Sequence, residues 1–365
     1  MIWLVIIILA PYLLYLFRIN AGFSSIRRYR KKTEANEFVS VIIPCKNEED
    51  SLPILLKSLD SQDYDPNKFE VIVVNDNSCD NTTGAAFSHL SRYELKVISN
   101  TGYGKKQAIR SGIKEARGEL IVTCDADSTV NPGWLSTIAS FYQDKRAAMI
   151  IAPVMLSRGD GFAPWFQELE FISLQAVTAG TANNNNPVMC NGTNLAFTKE
   201  AYKAHSTDLR DNLQSGDDMF LMHNIKKNRN LKILWLESED ARVTTKASTT
   251  LSSYLSQRAR WISKAGSYND IYTMGLALST LMAVIMQATL MFMSISDQVY
   301  LPPFLTAFFI KSIPDFLLLF TATKRFGATN LLKWFFPAQL VYPFYVLAII
   351  IKSLVGSKEW IPSDR

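Results

Sequence analysis

The chain has 365 residues, 48% of them hydrophobic, and a formal net charge of +5 whose basic residues gather beside apolar ends instead of along one stripe, a pattern that speaks against nucleic-acid binding. Cys45, Cys79, Cys124 and Cys190 lack C-x-x-C spacing, and His89, His205 and His223 lack metal-ligand spacing. Zinc chemistry and a disulfide framework are therefore disfavoured, and a reducing cytosol suits the thiols.

Residues 1–17, MIWLVIIILAPYLLYLF, are uncharged and close to the length that crosses a bilayer. Basic residues follow the run: Arg18, then Arg27, Arg28, Arg30, Lys31 and Lys32. That order predicts an uncleaved anchor with a cytosolic carboxyl end, followed by a basic juxtamembrane linker over 18–37.

From Phe38 the character changes. FVSVIIPCKNEED reads as a strand and turn leading into the helix SLPILLKSLDSQ, and FEVIVVNDNSCDNT repeats the plan with Asp76 at the strand end. ELKVISN, a helix around residues 105–116, and ELIVTCDAD follow. This alternation predicts a mostly parallel sheet covered on both faces, with ligands outside the carboxyl ends of the strands, where Pro44, Asp76, Asp125 and Asp127 fall. No G-x-G-x-x-G follows the first strand, so no dinucleotide cofactor is indicated.

ELIVTCDAD is the stretch the rest is organised around. Read as one extended run, it aims Asp125 and Asp127 to the same side, where two carboxylates repel unless a hard divalent cation such as Mg²⁺ or Mn²⁺, shared with a diphosphate, sits between them. A solvated turn is the plain structural reading. For Asp76 the corresponding alternative is a helix N-cap.

Farther on, NPGWLSTIASF predicts a helix and AAMIIAPVML a strand. Residues 162–182 are apolar but carry Glu168 and Glu170, which argues for a helix on the protein or at the membrane surface and against a span. Asn191-Gly192 marks either a close backbone approach to a ligand or a hairpin turn. Asp217 and Asp218 open a helical pattern, as dipole-stabilised carboxylates or as a base acting on a hydroxyl. LKILWLESEDARVTT gives further strands. In TTLSSYLSQRARWISKAG, Arg258, Arg260, Trp261 and Lys264 read as a basic surface carrying an indole, or as a membrane-interface helix with snorkelling arginines.

Three apolar segments close the chain, at 271–295, 300–320 and 331–351. The middle one is interrupted by Pro302, Pro303 and Pro314, and holds Lys311 and Asp315 four apart on one face, placed to meet other helices and pair. With the centre cytosolic, a loop at Lys324 and Arg325 falls inside, and the last residues fall outside despite Lys352 and Lys358. A re-entrant middle segment would remove that conflict.

The ordered set VIIPCKNEE, VNDNSCD, GKKQAI, DAD, GTNLAF, GDD and QRARW resembles the membrane-bound family 2 glycosyltransferases of GT-A fold, a family that includes cellulose, chitin and hyaluronan synthases and ceramide glucosyltransferase. The resemblance covers roughly residues 39–264. It implies an α/β GT-A nucleotide-sugar-binding domain with a mixed, mostly parallel sheet over 38–250, an interfacial QRARW helix over 251–268 and about three transmembrane segments over 269–365. On the nucleotide-sugar side it implies Pro44, Glu48, Asp76 at the uracil, Lys105, Asp125 and Arg260. Asp125 and Asp127 would hold Mg²⁺ or Mn²⁺, Asp218 would be the general base, and Asn191, Gly192, Asp217, Gln257 and Trp261 would meet the acceptor.

The implied reaction is inverting transfer of a hexose from a UDP-sugar to a lipid, lipid-linked or polysaccharide hydroxyl at the cytosolic face of the inner membrane, by a multi-pass protein of undetermined oligomeric state. GDD stands where many members have T-E-D, and Ala247 where a proline often precedes the Q-x-x-R-W helix. A nucleotidylyltransferase would show G-x-G-x-R after the first strand, and PCKNEED has none; a non-catalytic membrane assembly protein is the remaining alternative.

Overall fold

The computed structural model describes residues 1–31, 34–211, 213 and 215–355; Lys32 and Lys358, both used in the topology argument, lie outside the described residues. The described residues divide into two compact units, one built from residues 27–157 and 189–246, the other from residues 1–26, 158–188 and 247–355.

The first unit is an α/β domain. Its strands are β1 (Val39–Cys45), β2 (Phe69–Asn75), β3 (Glu94–Ser99), β4 (Leu120–Thr123), β5 (Thr129–Val130), β6 (Met149–Ile151), β7 (Val154–Leu156), β8 (Leu195–Thr198), β9 (Ile233–Trp235) and β10 (Val243–Thr245). Seven form a sheet in the order β3-β2-β1-β4-β8-β6-β9, in which β8 runs antiparallel to β4 and β6 and the other pairs are parallel. β5, β10 and β7 form a second, three-stranded sheet.

The period of two sorts the β1 and β2 side chains between two faces. Val41, Ile43, Val71 and Val73 join Leu52, Leu55, Leu56 and Leu59 of the helix Leu52–Asp60 in one core cluster. Ile42 and Val74 instead meet the helix Lys105–Glu115 at Gly112, where a Cβ would stand 2.6 Å from Ile42 Cγ2. Burial of both faces explains why these strands read as unbroken apolar runs. AAMIIAPVML, expected as one strand, is two: Pro153 separates β6 from β7, and the strands enter different sheets because proline cannot donate to a ladder.

β4 stops at Thr123, so Asp125 and Asp127 do not share a strand face. Ser128 N–H donates to Asp125 O at 3.1 Å, closing a turn through the two aspartates before β5. Aspartate and serine offer local bonds that compete with the ladder, and Thr123 spends its hydroxyl on Gly192 O at 2.7 Å. Asn191-Gly192 likewise is no hairpin: Asn191 caps a single 3-10 turn, Gly192–Asn194, that runs into β8.

The second unit is helical. Among the described residues four helices are long and apolar enough to cross a membrane, Ile2–Ser24, Ile271–Ser296, Gln298–Phe326 and Thr329–Val355, as suits an integral membrane protein. The first continues seven residues past the expected end at Phe17, because Ile19, Gly22 and Phe23 prolong its buried stripe. It crosses the helix Phe162–Asn183 at Gly22, where a Cβ would lie 2.5 Å from Gly180 O; Asn184 donates to Arg18 O and Asn183 to Gly22 O, each at 2.9 Å.

Pro302 and Pro303 occupy the start of the helix Leu301–Phe326, and Pro314 lies within it without breaking it. Lys324 and Arg325 form its last turn and not a loop; Arg325 donates to Ser24 O and Ile26 O. As expected, Lys311 and Asp315 pair, at 2.7 Å, and Tyr12 and Gln339 complete the buried knot.

Candidate functional site

The carboxyl ends of β1, β2 and β4 converge, and the turns beyond them are stitched together. Asn47 and Asn77 take left-handed φ values of 56° and 55°, a conformation asparagine tolerates better than most residues. Asn47 N–H donates to Ser78 Oγ at 3.0 Å and Glu48 N–H to Thr82 Oγ1 at 2.8 Å. Glu48 O accepts from Leu52 N–H, starting the next helix, while Pro44 sits half-buried within β1.

Asp76 is 2% exposed and does not cap the helix that follows it. Its carboxylate accepts the Gly104 N–H at 2.9 and 3.0 Å and the Asn100 amide at 2.7 Å. Gly104 stands at φ 87°, in the region that glycine alone enters cheaply, and Lys105 is the next residue, the first of its helix. Asp76 thus fixes the backbone that presents Lys105.

Lys105 forms an ion pair with Asp125. Burial works against its ammonium, yet Asp125, and more weakly Asp217 and Asp218, hold its pKa above the ordinary lysine value. Asp127 moves the other way: burial first, then the Asp125 charge, push its carboxyl up, opposed by Lys105, the Thr245 hydroxyl at 3.2 Å and Lys246. Asp217 is raised by burial and by Asp218.

Asp217 and Asp218 open the helix Asp217–Lys226, after Gly216 at φ 94°. Gly192 N–H donates to Asp218 Oδ2 at 2.9 Å, and Met219 N–H to Oδ1 at 2.8 Å. Thr193, the residue after Gly192, donates its hydroxyl to Asp125 Oδ2 at 2.7 Å. The turn itself is anchored by Asn194, fully buried, whose amide donates to Pro153 O and Ala241 O and accepts from the Trp134 indole. A hollow of ≈ 10 Å³, room for about one water molecule, lies among Lys106, Thr123, Gly192, Tyr202, Asp217 and Asp218.

The α/β unit therefore brings together Asp76, Lys105, Asp125, Asp127, Gly192 and Asp218. Sequence reasoning passed over Thr193, Asn194, Thr245 and Lys106, whose buried ammonium donates to Leu209 O, Arg210 O and Leu213 O at 2.6 to 2.9 Å and holds the loop before Asp217. GTN and GKK were visible as motif fragments, but their partners lie up to 107 residues away and leave no local signal.

Asp125 and Asp127 fit a hard divalent cation by donor chemistry, since their mutual repulsion is the strain such an ion relieves. Among the described residues no three His, Cys, Asp or Glu side chains form a metal cage. A bound ion would take a carboxylate or two from the described residues, an arrangement that for Mg²⁺ is usually completed by phosphate oxygens.

Gln257, Arg260 and Trp261 belong to the helical unit, all half-buried on the helix Leu251–Ile262. The expected basic surface is not formed: Arg258 is 3% exposed and Lys264 9%. Arg258 is instead drawn inward to Glu170, its Nη2 2.7 Å from Oε2.

Residues 40–205 match the model of Glycosyl transferase family 2. The undecaprenyl-phosphate 4-deoxy-4-formamido-L-arabinose transferase of Shewanella sediminis is 38% identical over 101 residues, 27% of this chain and 30% of that protein. The poly(ribitol-phosphate) beta-N-acetylglucosaminyltransferase TarS of Staphylococcus aureus is 31% identical over 126 residues, 33% of this chain and 22% of that protein. The chain thus spans under a third of either relative's length. A mannosyltransferase from Pyrobaculum calidifontis, solved with GDP-Man and Mn²⁺, shares the fold over 97% of this chain and 99% of its own, with a TM-score of 0.60 at 18% identity.

Proposed function

We propose that this chain, whose residues 40–205 are a glycosyltransferase family 2 domain of GT-A fold accompanied by long apolar helices, transfers a sugar from a nucleotide sugar, with inversion, to a hydroxyl of a lipid, lipid-linked or polysaccharide acceptor at the cytosolic membrane face. The observation that carries the reading is the bridge through Gly192 and Thr193, which holds Asp218 and Asp125 beside Lys105. The named relatives act on an undecaprenyl phosphate and a poly(ribitol phosphate), which supports lipid-linked and polymeric acceptors alike.

In this reading the acceptor oxygen attacks the anomeric carbon as the bond to the diphosphate breaks, and the hydroxyl proton passes to Asp218. Each Asp218 oxygen accepts one backbone N–H and keeps a second lone pair for that proton. Lys105 offsets charge on the departing diphosphate, and Asp76 serves the uracil side while fixing Gly104. Asp125 and Asp127 would hold Mg²⁺ or Mn²⁺, which when bound supplies Lewis-acid stabilisation of the leaving diphosphate. Pro44, Glu48 and Arg260 are assigned to the nucleotide sugar, and Asn191, Gly192, Asp217, Gln257 and Trp261 to the acceptor.

The test is incubation of membranes holding the full chain with labelled UDP- and GDP-sugars, with and without Mn²⁺, and identification of the product by mass. One lipid-sized product or a polymer ladder, dependent on Mn²⁺, is expected. A folded protein that binds no nucleotide sugar would favour an assembly role.

A further inference from the structure

Arg258 occupies a variable position of Q-x-x-R-W, yet its guanidinium is held on several sides. Its Nε lies 3.1 and 3.2 Å from the two Glu170 oxygens and its Nη2 2.7 Å from Oε2, a two-pronged grip across from the helix Phe162–Asn183. Its remaining arm, Nη1, donates to Gln257 Oε1 at 2.7 Å. The guanidinium plane lies 4.2 Å from the Trp261 ring centroid and 4.9 Å from that of Tyr254, its neighbours three and four residues along the helix. Tyr345, from the helix Phe335–Val355, donates to Glu170 Oε1 at 3.2 Å and stacks on Tyr254 with 9° between the planes. Burial opposes the Arg258 charge, and Glu170 outweighs it, so the group stays a cation.

Gln257 and Trp261, four residues apart on the helix Leu251–Ile262, share one face, which sets their rough direction but not the rotamer of either side chain. One planar group contacts both, and its far side is fixed by a carboxylate of another helix. With its oxygen engaged, the Gln257 amide keeps its two N–H donors for an acceptor hydroxyl. Lysine offers one charge point and no plane, and cannot meet the carboxylate, the amide and the indole together.

We propose that Arg258, anchored by Glu170, is a positioning residue that sets Gln257 and Trp261 for the sugar acceptor, an inference that rests on the acceptor-side assignment of those two residues. Arg258→Gln, Arg258→Lys and Glu170→Gln are compared with wild type in the full chain. Acrylamide quenching of Trp261, taken as the difference between each protein and the same protein carrying Trp261→Phe, reports the indole without any turnover. UDP with Mn²⁺ probes the nucleotide side, and labelled product formed on the membranes' own lipids probes transfer. The proposal predicts at least twofold stronger Trp261 quenching in all three variants, UDP affinity within twofold of wild type, and about tenfold less product. Arg258→Lys keeps a charge opposite Glu170, so it serves if Arg258→Gln does not fold. Unchanged quenching overturns the clamp, as does UDP affinity falling as far as product. Trp261→Phe at the wild-type product rate overturns the acceptor assignment itself, and the proposal with it.

Discussion

The carboxylates of Asp125 and Asp218, 93 positions apart in the sequence, are held by two consecutive residues: Thr193 donates its hydroxyl to Asp125 Oδ2 at 2.7 Å, and Gly192 its N–H to Asp218 Oδ2 at 2.9 Å. A shift of this turn moves both acids together. In the proposed reaction one carboxylate serves the leaving group and the other the attacking hydroxyl, so this turn links the two, beside the Lys105 ion pair on Asp125 and the Met219 N–H on Asp218.

Thr193→Val keeps the shape and removes the donor. Loss of one hydrogen bond to a charged acceptor costs about 1.5–3 kcal/mol, roughly 10- to 150-fold if it falls wholly on the transition state. The expected outcome is a rate loss in that range with a higher Mn²⁺ requirement and an unchanged melting midpoint, checked by transfer assays over a Mn²⁺ series and by thermal unfolding.

Much of the α/β unit was legible because its signals are local. VSVIIPC and FEVIVVN are short, apolar and rich in β-branched residues, the mark of doubly covered strands, and Asp217 and Asp218 at a helix start followed from the pattern after them. The D-x-D geometry was not legible: β4 ends at Thr123, four residues before Asp127, and the chain closes a turn with Ser128 N–H on Asp125 O, a local bond that periodicity does not reveal. Arg258 was misread for the same reason, since a basic residue on an amphipathic helix looks solvent-facing until Glu170 is found opposite it.

Glu70 predicts an acid-sensitive fold. Burial alone would push its carboxyl up, but bonds from Lys96, Arg117 N–H and Ser40 hold it below the ordinary range. A depressed carboxyl contributes stability that is present above its unfolded value, near 4.5, and is lost as pH falls through the lower folded value. Glu70→Gln should therefore be less stable than wild type at neutral pH, with the gap closing below about pH 4.5. Melting midpoints over pH 3–7 check this; a constant gap would show that the charge is not what Glu70 contributes.

In the helical unit, Lys311→Met strips Asp315 of its cation. Removing one partner of a buried pair costs about 3–5 kcal/mol, whereas replacing both by apolar groups costs much less. Lys311→Met should melt well below wild type in detergent, and Lys311→Met with Asp315→Leu should recover most of the loss. A double variant no better than the single one would mean that the knot with Tyr12 and Gln339 matters as a whole.

The most direct measurement is sugar transfer by Asp218→Asn beside wild type, in the same membranes, with Mn²⁺ and the nucleotide sugar that wild type uses. Removing a general base costs about 10²- to 10⁴-fold, so product should fall at least a hundredfold while nucleotide affinity stays within a few-fold. Asp218→Asn forming product at the wild-type rate would contradict the account.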